Sequence, residues 1–185
     1  FHGRKTGLFA AALFSTFLFP YSLGRTNILD MPLAFFLSLS LWAGFRYFAG
    51  GCREKRGIYL FNLFCALAFL TKGLVGIVFP YGILFLWLLS SKRWRDLPRL
   101  FSPAGILTLS AVGLPWVLLA QKANEDFFWF FFVREHFLRY MTTIHKRYQP
   151  LWFFIPIVIV GMAPWIGFFA RAAKAVKSGG GFSSI

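Results

Sequence analysis

The sequence predicts an all-α integral membrane protein, because composition and patterning both point away from a soluble domain. The 185 residues are 58% hydrophobic and 21% aromatic, and the mean hydropathy is +0.64. These values lie far above those of soluble proteins. The charged residues gather in short clusters between long apolar runs. This alternation indicates several membrane-spanning helices.

Six apolar runs define the predicted helices, and most of them approach the ~20 residues that a helix needs to cross the hydrocarbon core. The third run is short, and a tight turn at Thr71, Lys72 and Gly73 follows it, so the third and fourth runs are predicted to form a helical hairpin. One long buried helix is disfavoured there, because Lys72 would place a charge near the bilayer centre. The runs cover residues 7–24, 31–50, 57–71, 74–90, 103–120 and 151–170.

A basic and aromatic segment, residues 125–150, joins the last two runs. Helices of this composition suit the membrane–water interface, where rings and cations meet lipid headgroups. We therefore predict an interfacial helix near residues 123–148; a plain amphipathic connector between two spans is the alternative. In an α-helix, His136, Arg139 and Tyr140 would share one face.

The distribution of Lys and Arg predicts the orientation of the helices. The ends richest in cations are assigned to the cytoplasm, so both ends of the chain lie there and residues 125–150 lie outside. The net charge of +14 is then mostly a consequence of topology. Because no soluble basic domain is present to bind nucleic acid, no nucleic-acid partner is expected. The predicted cytoplasmic cations are Arg4, Lys5, Arg46, Arg53, Lys55, Arg56, Lys92, Arg93, Arg95, Arg99, Arg171, Lys174 and Lys177.

The predicted outer side also carries cations, against the positive-inside tendency, so an anionic partner is expected. Arg binds phosphate through two parallel hydrogen bonds, and Lys binds it as a point charge. Phosphate is therefore the predicted class of ligand. The outer cations considered for it are Arg25, Lys72, Arg134 and Arg139.

Asp30 and Lys72 each allow two interpretations. Asp30 directly precedes Met31 and Pro32 at the start of a run, where an aspartate commonly caps the helix N-terminus. A functional role at the outer membrane edge is equally open for Asp30, and both roles can hold together. Lys72 is either an anchor that snorkels to the interface or a phosphate ligand.

A metal site in this chain would depend on His136, since a lone interfacial histidine is more often simply hydrogen-bonded. Glu135 is adjacent to His136, but no second clear ligand lies nearby, so this segment alone does not specify a zinc site. Cys52 lies in a basic loop and Cys65 lies inside an apolar run. A disulfide and a thiolate metal site are therefore not expected.

Four motifs occur in order along the chain: RTNILDMPLAFF (residues 25–36), ALAFLTKG (66–73), PWVLLAQKAN (115–124) and FFVREHFLRY with HKRYQPLWFFIP (within 131–156). Together they resemble the bacterial protein-mannosyltransferase superfamily, which has the GT-C architecture. Within that superfamily the chain is most similar to the 4-amino-4-deoxy-L-arabinose lipid A transferases. The resemblance covers nearly the whole chain.

The resemblance implies a multi-pass glycosyltransferase of the bacterial inner membrane whose active site faces the periplasm. Such an enzyme moves a sugar from a polyprenyl-phosphate donor to lipid A, another glycan or a protein, with inversion at the sugar carbon and help from a carboxylate. Its partners would be the polyprenyl-phosphate-linked sugar, a lipid or glycan acceptor and membrane lipids. The chain would be an internal part of the transmembrane domain. We expect the loop with the main catalytic Asp, and the periplasmic domain, to lie outside it.

The resemblance also implies roles for individual residues. Asp30 matches the family's second aspartate at the membrane edge, which makes it a supporting catalytic residue. Lys72 matches the lysine of the TKG turn, and Arg139 matches the arginine after the family histidine. Both would bind the donor phosphate, with smaller contributions from Arg25 or Arg134.

The substrate cleft would also include residues of the interfacial segment, namely Glu135, His136 and Tyr140. His136 matches the histidine of the family's REH segment. Where the family has a metal site, that histidine pairs with a carboxylate from the part of the protein before this chain. His136 is therefore a candidate zinc ligand, although the chemistry implied here does not require a divalent ion.

Two other classes of function are alternatives to an enzyme. A transporter or channel would place ionisable residues in the middle of spans, or polar breaks at matching depth in two halves. The sequence shows neither, and its polar residues are predicted to gather on one face. A non-catalytic scaffold that binds lipid stays open, and the residues preceding this chain would distinguish it from an enzyme.

Overall fold

The computed structural model describes residues 3–26, 28–49, 56–138, 150–168 and 171. Over these residues the regular secondary structure is helical, without a strand, which confirms the predicted all-α class. The chain divides into two compact units. The first contains Phe1–Ile28 and Arg147–Ile185, and the second contains Leu29–Lys146.

Eight α-helices are described and are numbered here along the chain. They are α1 (Arg4–Thr16), α2 (Leu18–Arg25), α3 (Asp30–Ala49), α4 (Arg56–Lys72), α5 (Val75–Ser90), α6 (Leu97–Leu100), α7 (Pro103–Ala123) and α8 (Phe154–Gly161). A π-helix covers Trp129–Leu138, and short 3-10 helices cover Trp94–Asp96 and Leu151–Phe153.

In the first unit, the run predicted over residues 7–24 is bent. α1 and α2 meet at an angle of 65°. Pro20 favours the break, because it lacks an N–H and its ring clashes with the carbonyl four residues earlier, at Thr16. The C-terminal segment holds the break in place: the Leu18 N–H donates to the Ala163 carbonyl at 3.0 Å, and the Trp165 indole N–H donates to the Thr16 hydroxyl at 2.8 Å.

The second unit is a helical bundle with α4 at its centre. α4 runs antiparallel to α3, and the start of α4 lies against the end of α3 where Gly57 meets Tyr47. α7 runs parallel to α4, since Gly105 lies against Asn62 and Gly113 lies against Phe69. One end of this bundle therefore gathers the start of α3 and the ends of α4 and α7. The core of the bundle as a whole is filled by fully buried side chains, which include Phe61, Cys65, Leu84, Leu88 and Leu100.

The connection between α4 and α5 is the tight turn that the sequence predicts. Gly73 has a φ of 80°, a left-handed conformation that glycine adopts without a steric clash. Its N–H donates to the Phe69 carbonyl at 2.7 Å, which ends α4 at Lys72. Gly76 then lies directly against the backbone of Ala68, so the two helices form a closely packed hairpin.

Among the described residues, two segments are long and apolar enough to cross a membrane: Asp30–Ala49 and Trp94–Ala123. The bent pair of α1 and α2 would be a third if it counts as one span, and α5 is a shorter apolar helix. These helices support the predicted membrane location. The prediction of six spans with both ends in the cytoplasm stays a prediction.

Cysteine accessibility in the full-length protein tests the predicted orientation. Asn124 and Ser91 are both exposed and lie at opposite ends of the second unit. In a Cys52→Ser background, we expect Asn124→Cys to react with an impermeant maleimide added from the periplasmic side. Ser91→Cys should react only after permeabilisation. If only Ser91→Cys reacts from outside, the orientation is the reverse of the predicted one. Cys65, the other cysteine of this chain, is buried.

Candidate functional site

Asp30 and Lys72 form an ion pair at one end of the second unit. Asp30 is the first residue of α3 and Lys72 is the last residue of α4. The Lys72 ammonium donates to the Asp30 carboxylate across a separation of 42 residues in the sequence. Because α3 and α4 pack antiparallel, the start of one helix lies beside the end of the other. The glycine turn after Lys72 fixes where α4 stops.

Each partner of the ion pair also suits its helix terminus. A carboxylate is stabilised at a helix N-terminus, and an ammonium is stabilised at a helix C-terminus, because the backbone dipoles leave partial charges there. Asp30 lies in the first turn of α3, and Lys72 lies in the last turn of α4. Each side chain thus lies at the helix end whose partial charge is opposite to its own.

The ion pair is accessible, since 48% of the Lys72 side chain and 36% of the Asp30 side chain are exposed. Ion pairs this exposed contribute only about 0–1 kcal/mol to stability. A lysine ammonium has three N–H donors. One is used by Asp30, so two can donate to an incoming anion while the carboxylate holds the ammonium in position.

The π-helix reaches the same end of the bundle. Phe127 and Phe131 pack on Trp116 of α7, with ring centroids 5.4 and 6.1 Å apart. Phe131 also contacts Phe69, at 6.1 Å, and Phe69 precedes Lys72 by one helical turn. The basic segment predicted to lie outside therefore packs against the last turns of α4, the helix that ends at Lys72.

Within that segment the structure differs from an ideal α-helix. Its backbone hydrogen bonds follow the π pattern, in which each N–H donates to the carbonyl five residues earlier. Such segments often occur at functional sites. From Trp129 to Leu138 the residues therefore do not have α-helical spacing. The prediction that His136, Arg139 and Tyr140 share one face assumed an α-helix, so it cannot be based on the spacing in this part of the segment. Arg139 and Tyr140 lie outside the described residues, as does the side chain of His136, so their roles stay predictions.

The remaining predicted cations occupy two different places. The Arg134 guanidinium lies 5.2 Å from the centroid of the Phe130 ring, on the exposed side of the π-helix. Its neighbour Glu135 is half-buried. The Arg25 guanidinium lies 5.1 Å from the centroid of the Tyr21 ring and belongs to the first unit. Their participation in one site with Lys72 stays a prediction.

No described group of three or more His, Cys, Asp or Glu side chains is placed to hold a metal ion. The described part of the chain thus does not complete a metal site. The prediction that His136 is a zinc ligand, with a partner from outside this chain, stays a prediction.

The first unit contributes an apolar groove of about 270 Å³. Its walls carry no ionisable side chain, so the groove can hold hydrocarbon but offers no group for acid–base or charge chemistry. The accessible Asp30–Lys72 pair, in contrast, offers both a carboxylate and an ammonium, and it is the candidate site of chemistry considered below. The groove is lined by Phe14, Phe17, Phe19, Pro20, Ile157, Val158, Gly161 and Met162.

Sequence reasoning identified both members of the pair but treated them separately. The missed signal is that two opposite charges, Asp30 and Lys72, stand at helix ends on the same predicted side of the membrane. Helix ends on one side of adjacent antiparallel spans meet in space. Whether the two side chains lie at the same height, and so touch, is decided by how α3 packs against α4.

Comparisons with known proteins agree with the motifs. Residues 1–119 match the family described as dolichyl-phosphate-mannose-protein mannosyltransferase. The undecaprenyl phosphate-alpha-4-amino-4-deoxy-L-arabinose arabinosyl transferase of Edwardsiella ictaluri is 29% identical over 189 residues, covering 97% of this chain and 34% of the relative. The arabinosyl transferase 1 of Proteus mirabilis is 31% identical over 172 residues, covering 91% and 31%.

Solved structures give the same result. ArnT from Cupriavidus metallidurans bound to undecaprenyl phosphate superposes with a TM-score of 0.76 and 29% identity, over 91% of this chain and 32% of that one. The apo form of the same protein gives a TM-score of 0.68, over 82% and 28%. The chain spans about a third of the length of the relatives it matches. The predicted superfamily resemblance is thereby confirmed.

Proposed function

Because the chain belongs to the dolichyl-phosphate-mannose-protein mannosyltransferase family, we propose that it is the central membrane part of a polyprenyl-phosphate-dependent glycosyltransferase. The sugar would pass to a periplasmic acceptor such as lipid A, another glycan or a protein. Two relatives are named as arabinosyl transferases that use an undecaprenyl-phosphate sugar, and a related structure holds undecaprenyl phosphate. The observation that carries the proposal is the accessible Asp30–Lys72 ion pair at one end of the bundle.

The proposed reaction needs stabilisation of negative charge more than it needs an acid. The bond between the sugar carbon and the donor phosphate oxygen breaks, and the polyprenyl phosphate leaves with the electron pair. An acceptor oxygen attacks that carbon from the opposite face and loses its proton to a carboxylate, which we expect outside this chain. A phosphate monoester is a good leaving group, so no strong general acid is required. Lys72 would stabilise the charge that develops on the phosphate, as preorganised cations do in sites of low dielectric constant.

Asp30 would act on the donor through Lys72. Its carboxylate accepts one hydrogen bond from the Lys72 ammonium. The other two N–H donors of that ammonium stay available, and the hydrogen bond limits the directions in which they can point. An untethered lysine side chain would have to lose more conformational freedom when the phosphate binds. Asp30 is therefore proposed as a positioning residue, and Lys72 is the residue that contacts the phosphate.

Residues of the basic segment complete the proposed site. Arg139 would share the donor phosphate with Lys72, with a smaller contribution from Arg134. Glu135, His136 and Tyr140 would line the cleft on the acceptor side. If the full-length protein binds zinc, His136 would supply one ligand, and none of the steps proposed here uses the metal. We place this cleft at the periplasmic face of the inner membrane.

The positions of charged residues argue against a transporter. In α3, α4 and α7 the charged side chains lie in the first or last turn, and α5 contains no charged residue. A charged pathway through the membrane would need ionisable groups near the middle of these helices. A scaffold would retain the Asp30–Lys72 pair without catalysing sugar transfer, so an activity measurement separates it from the enzyme.

Replacing Lys72 tests the proposed donor site in the full-length enzyme. We expect Lys72→Ala to lower transfer from a polyprenyl-phosphate sugar by several-fold or more, since a charge-assisted hydrogen bond is worth ~1.5–3 kcal/mol. Arg139→Ala should act in the same direction. Melting should change little, because the pair is half-exposed.

The matched control is Lys122→Ala, which removes an exposed lysine from the last turn of α7. It should retain normal transfer. Equal activity of the Lys72 and Lys122 variants would remove Lys72 from the donor site. A full-length protein that binds the donor but transfers no sugar would favour the scaffold.

A further inference from the structure

At the other end of the second unit, a turn of basic and aromatic residues connects α5 to α7. We propose that this basic turn, residues 91–102, binds the phosphate headgroup of an anionic phospholipid in the surrounding bilayer. The site is separate from the Asp30–Lys72 pair, because it lies where α5 ends and α7 begins.

The turn opens with a lysine in an unusual backbone conformation. The Lys92 N–H donates to the Leu89 carbonyl at 3.0 Å, and the Arg93 N–H donates to the Leu88 carbonyl at 2.9 Å. These two bonds are those of a Schellman motif, whose left-handed position is usually occupied by glycine. Lys92 occupies that position with a φ of 55°. A lysine is sterically less suited to it than glycine, and here it places an exposed cation on the turn.

A buried carboxylate then holds the turn together. Asp96 is 5% exposed and forms ion pairs with both Arg93 and Arg99. These contacts neutralise part of the local charge. Lys92 and Arg95 are exposed, and no ion pair to either is found among the described residues. Within the described ranges, this turn thus presents two exposed cations for which no ion-pair partner is found.

Exposed aromatic rings lie within this turn, and further cations lie close to aromatic rings in and beside it. Trp94 is 60% exposed and Phe101 is 50% exposed, and Trp is enriched at membrane–water interfaces. The Arg93 guanidinium lies 5.9 Å from the Trp87 ring centroid. On the neighbouring helix α3, the Arg46 guanidinium lies 5.4 Å from the Trp42 ring centroid, which adds a further exposed cation at this end.

The chemistry of this end selects a lipid over other anions. The apolar helices α5 and α7 flank the turn directly, so the exposed rings would be in contact with acyl chains and the cations in contact with phosphate. Lys and Arg clusters adjacent to spans are attracted to anionic lipid surfaces. A zwitterionic lipid also has a phosphate, but its own ammonium cancels the net charge, so the turn should prefer anionic headgroups.

Native mass spectrometry of the full-length protein tests the proposal. The protein is equilibrated with equal amounts of phosphatidylglycerol and phosphatidylcholine, and bound lipid is counted. We expect enrichment of phosphatidylglycerol in the unmodified protein. Lys92→Gly combined with Arg95→Gln should reduce that enrichment at least several-fold. The control variant Lys122→Gln removes an exposed cation from the opposite end of α7 and should leave the enrichment unchanged.

Thermal unfolding in lipid-free detergent separates lost binding from lost structure. Lys92→Gly should melt at the same temperature as the unmodified protein or higher, because glycine suits the left-handed position. The single variant Lys92→Arg keeps the charge and should retain the enrichment. Equal binding of both lipids, unchanged enrichment in the double variant, or an equal loss in Lys122→Gln would each overturn the proposal.

Discussion

Gly76→Ala is expected to destabilise the membrane domain more than the same substitution at Gly82, the other glycine of α5. A Cβ at this position would lie 2.3 Å from the Ala68 carbonyl carbon and 2.3 Å from the Phe69 nitrogen. Backbone atoms cannot rotate away as a side chain can, so α4 and α5 would have to move apart. Close approach through small residues is a main source of helix association in membranes. Overpacking of this kind costs ~3 kcal/mol.

The loss should reach the candidate site as well. Gly76 lies one turn beyond Gly73, whose left-handed conformation ends α4 at Lys72. Separation of α4 from α5 would shift that helix end relative to Asp30. We therefore expect Gly76→Ala to lower both the melting temperature and the rate of sugar transfer in the full-length enzyme.

Gly82→Ala is the matched control for Gly76→Ala. It lies in the same helix, and a Cβ there would meet no atom within 4 Å. Alanine also has the higher helix propensity, by about 1 kcal/mol. Gly82→Ala should therefore melt at the same temperature as the unmodified protein or above it. If the two variants melt together, the close contact between α4 and α5 is not a source of stability.

Much of the second unit could be predicted from the sequence, because charges and glycines interrupt its apolar runs. The predicted run 31–50 corresponds to α3 (Asp30–Ala49), and the predicted run 57–71 corresponds to α4 (Arg56–Lys72). In both cases the helix ends lie at charged residues or beside glycine. A charge is costly inside the hydrocarbon core, so its position in the sequence limits the span on either side.

The first unit shows what such reasoning leaves out. The run 7–24 breaks at Phe17, three residues before Pro20, yet Pro80 and Pro115 lie inside continuous helices. A proline removes one hydrogen bond and disturbs the preceding turn, but whether the helix breaks depends on what compensates. Here the Leu18 N–H at the break donates to the carbonyl of Ala163, and the Trp165 indole N–H donates to the Thr16 hydroxyl; both partners are remote in sequence. The sequence around Pro20 does not contain that information.

The candidate site divides in the same way. That Asp30 and Lys72 lie at helix ends on one side of the membrane follows from hydropathy and charge. That they contact each other depends on the relative rotation and height of α3 and α4, which Gly57 and its neighbour Tyr47 help to set at the far end. Hydropathy contains no information on helix rotation, so the pair appears only in the packed structure.

Asp30→Asn should slow sugar transfer at least tenfold while leaving the fold intact. Asn caps a helix about as well as Asp, so the start of α3 should be retained. The lost ion pair is half-exposed and contributes only ~0–1 kcal/mol to stability. What Asn lacks is the negative charge that holds the Lys72 ammonium. A tenfold loss corresponds to ~1.4 kcal/mol in the activation barrier. The assay is transfer from a polyprenyl-phosphate sugar in proteoliposomes, with melting measured alongside.

A double-mutant cycle distinguishes a positioning role from an independent one. If Asp30 acts by holding Lys72, then Asp30→Asn should cost little further activity in a protein that already carries Lys72→Ala, because the group it positions is gone. If the two losses multiply, Asp30 contacts the substrate in its own right. The single variant Asp30→Glu, which keeps the charge on a longer side chain, should recover part of the activity lost in Asp30→Asn. Near-normal turnover in a normally melting Asp30→Asn protein would leave Asp30 as a helix cap and remove it from the reaction.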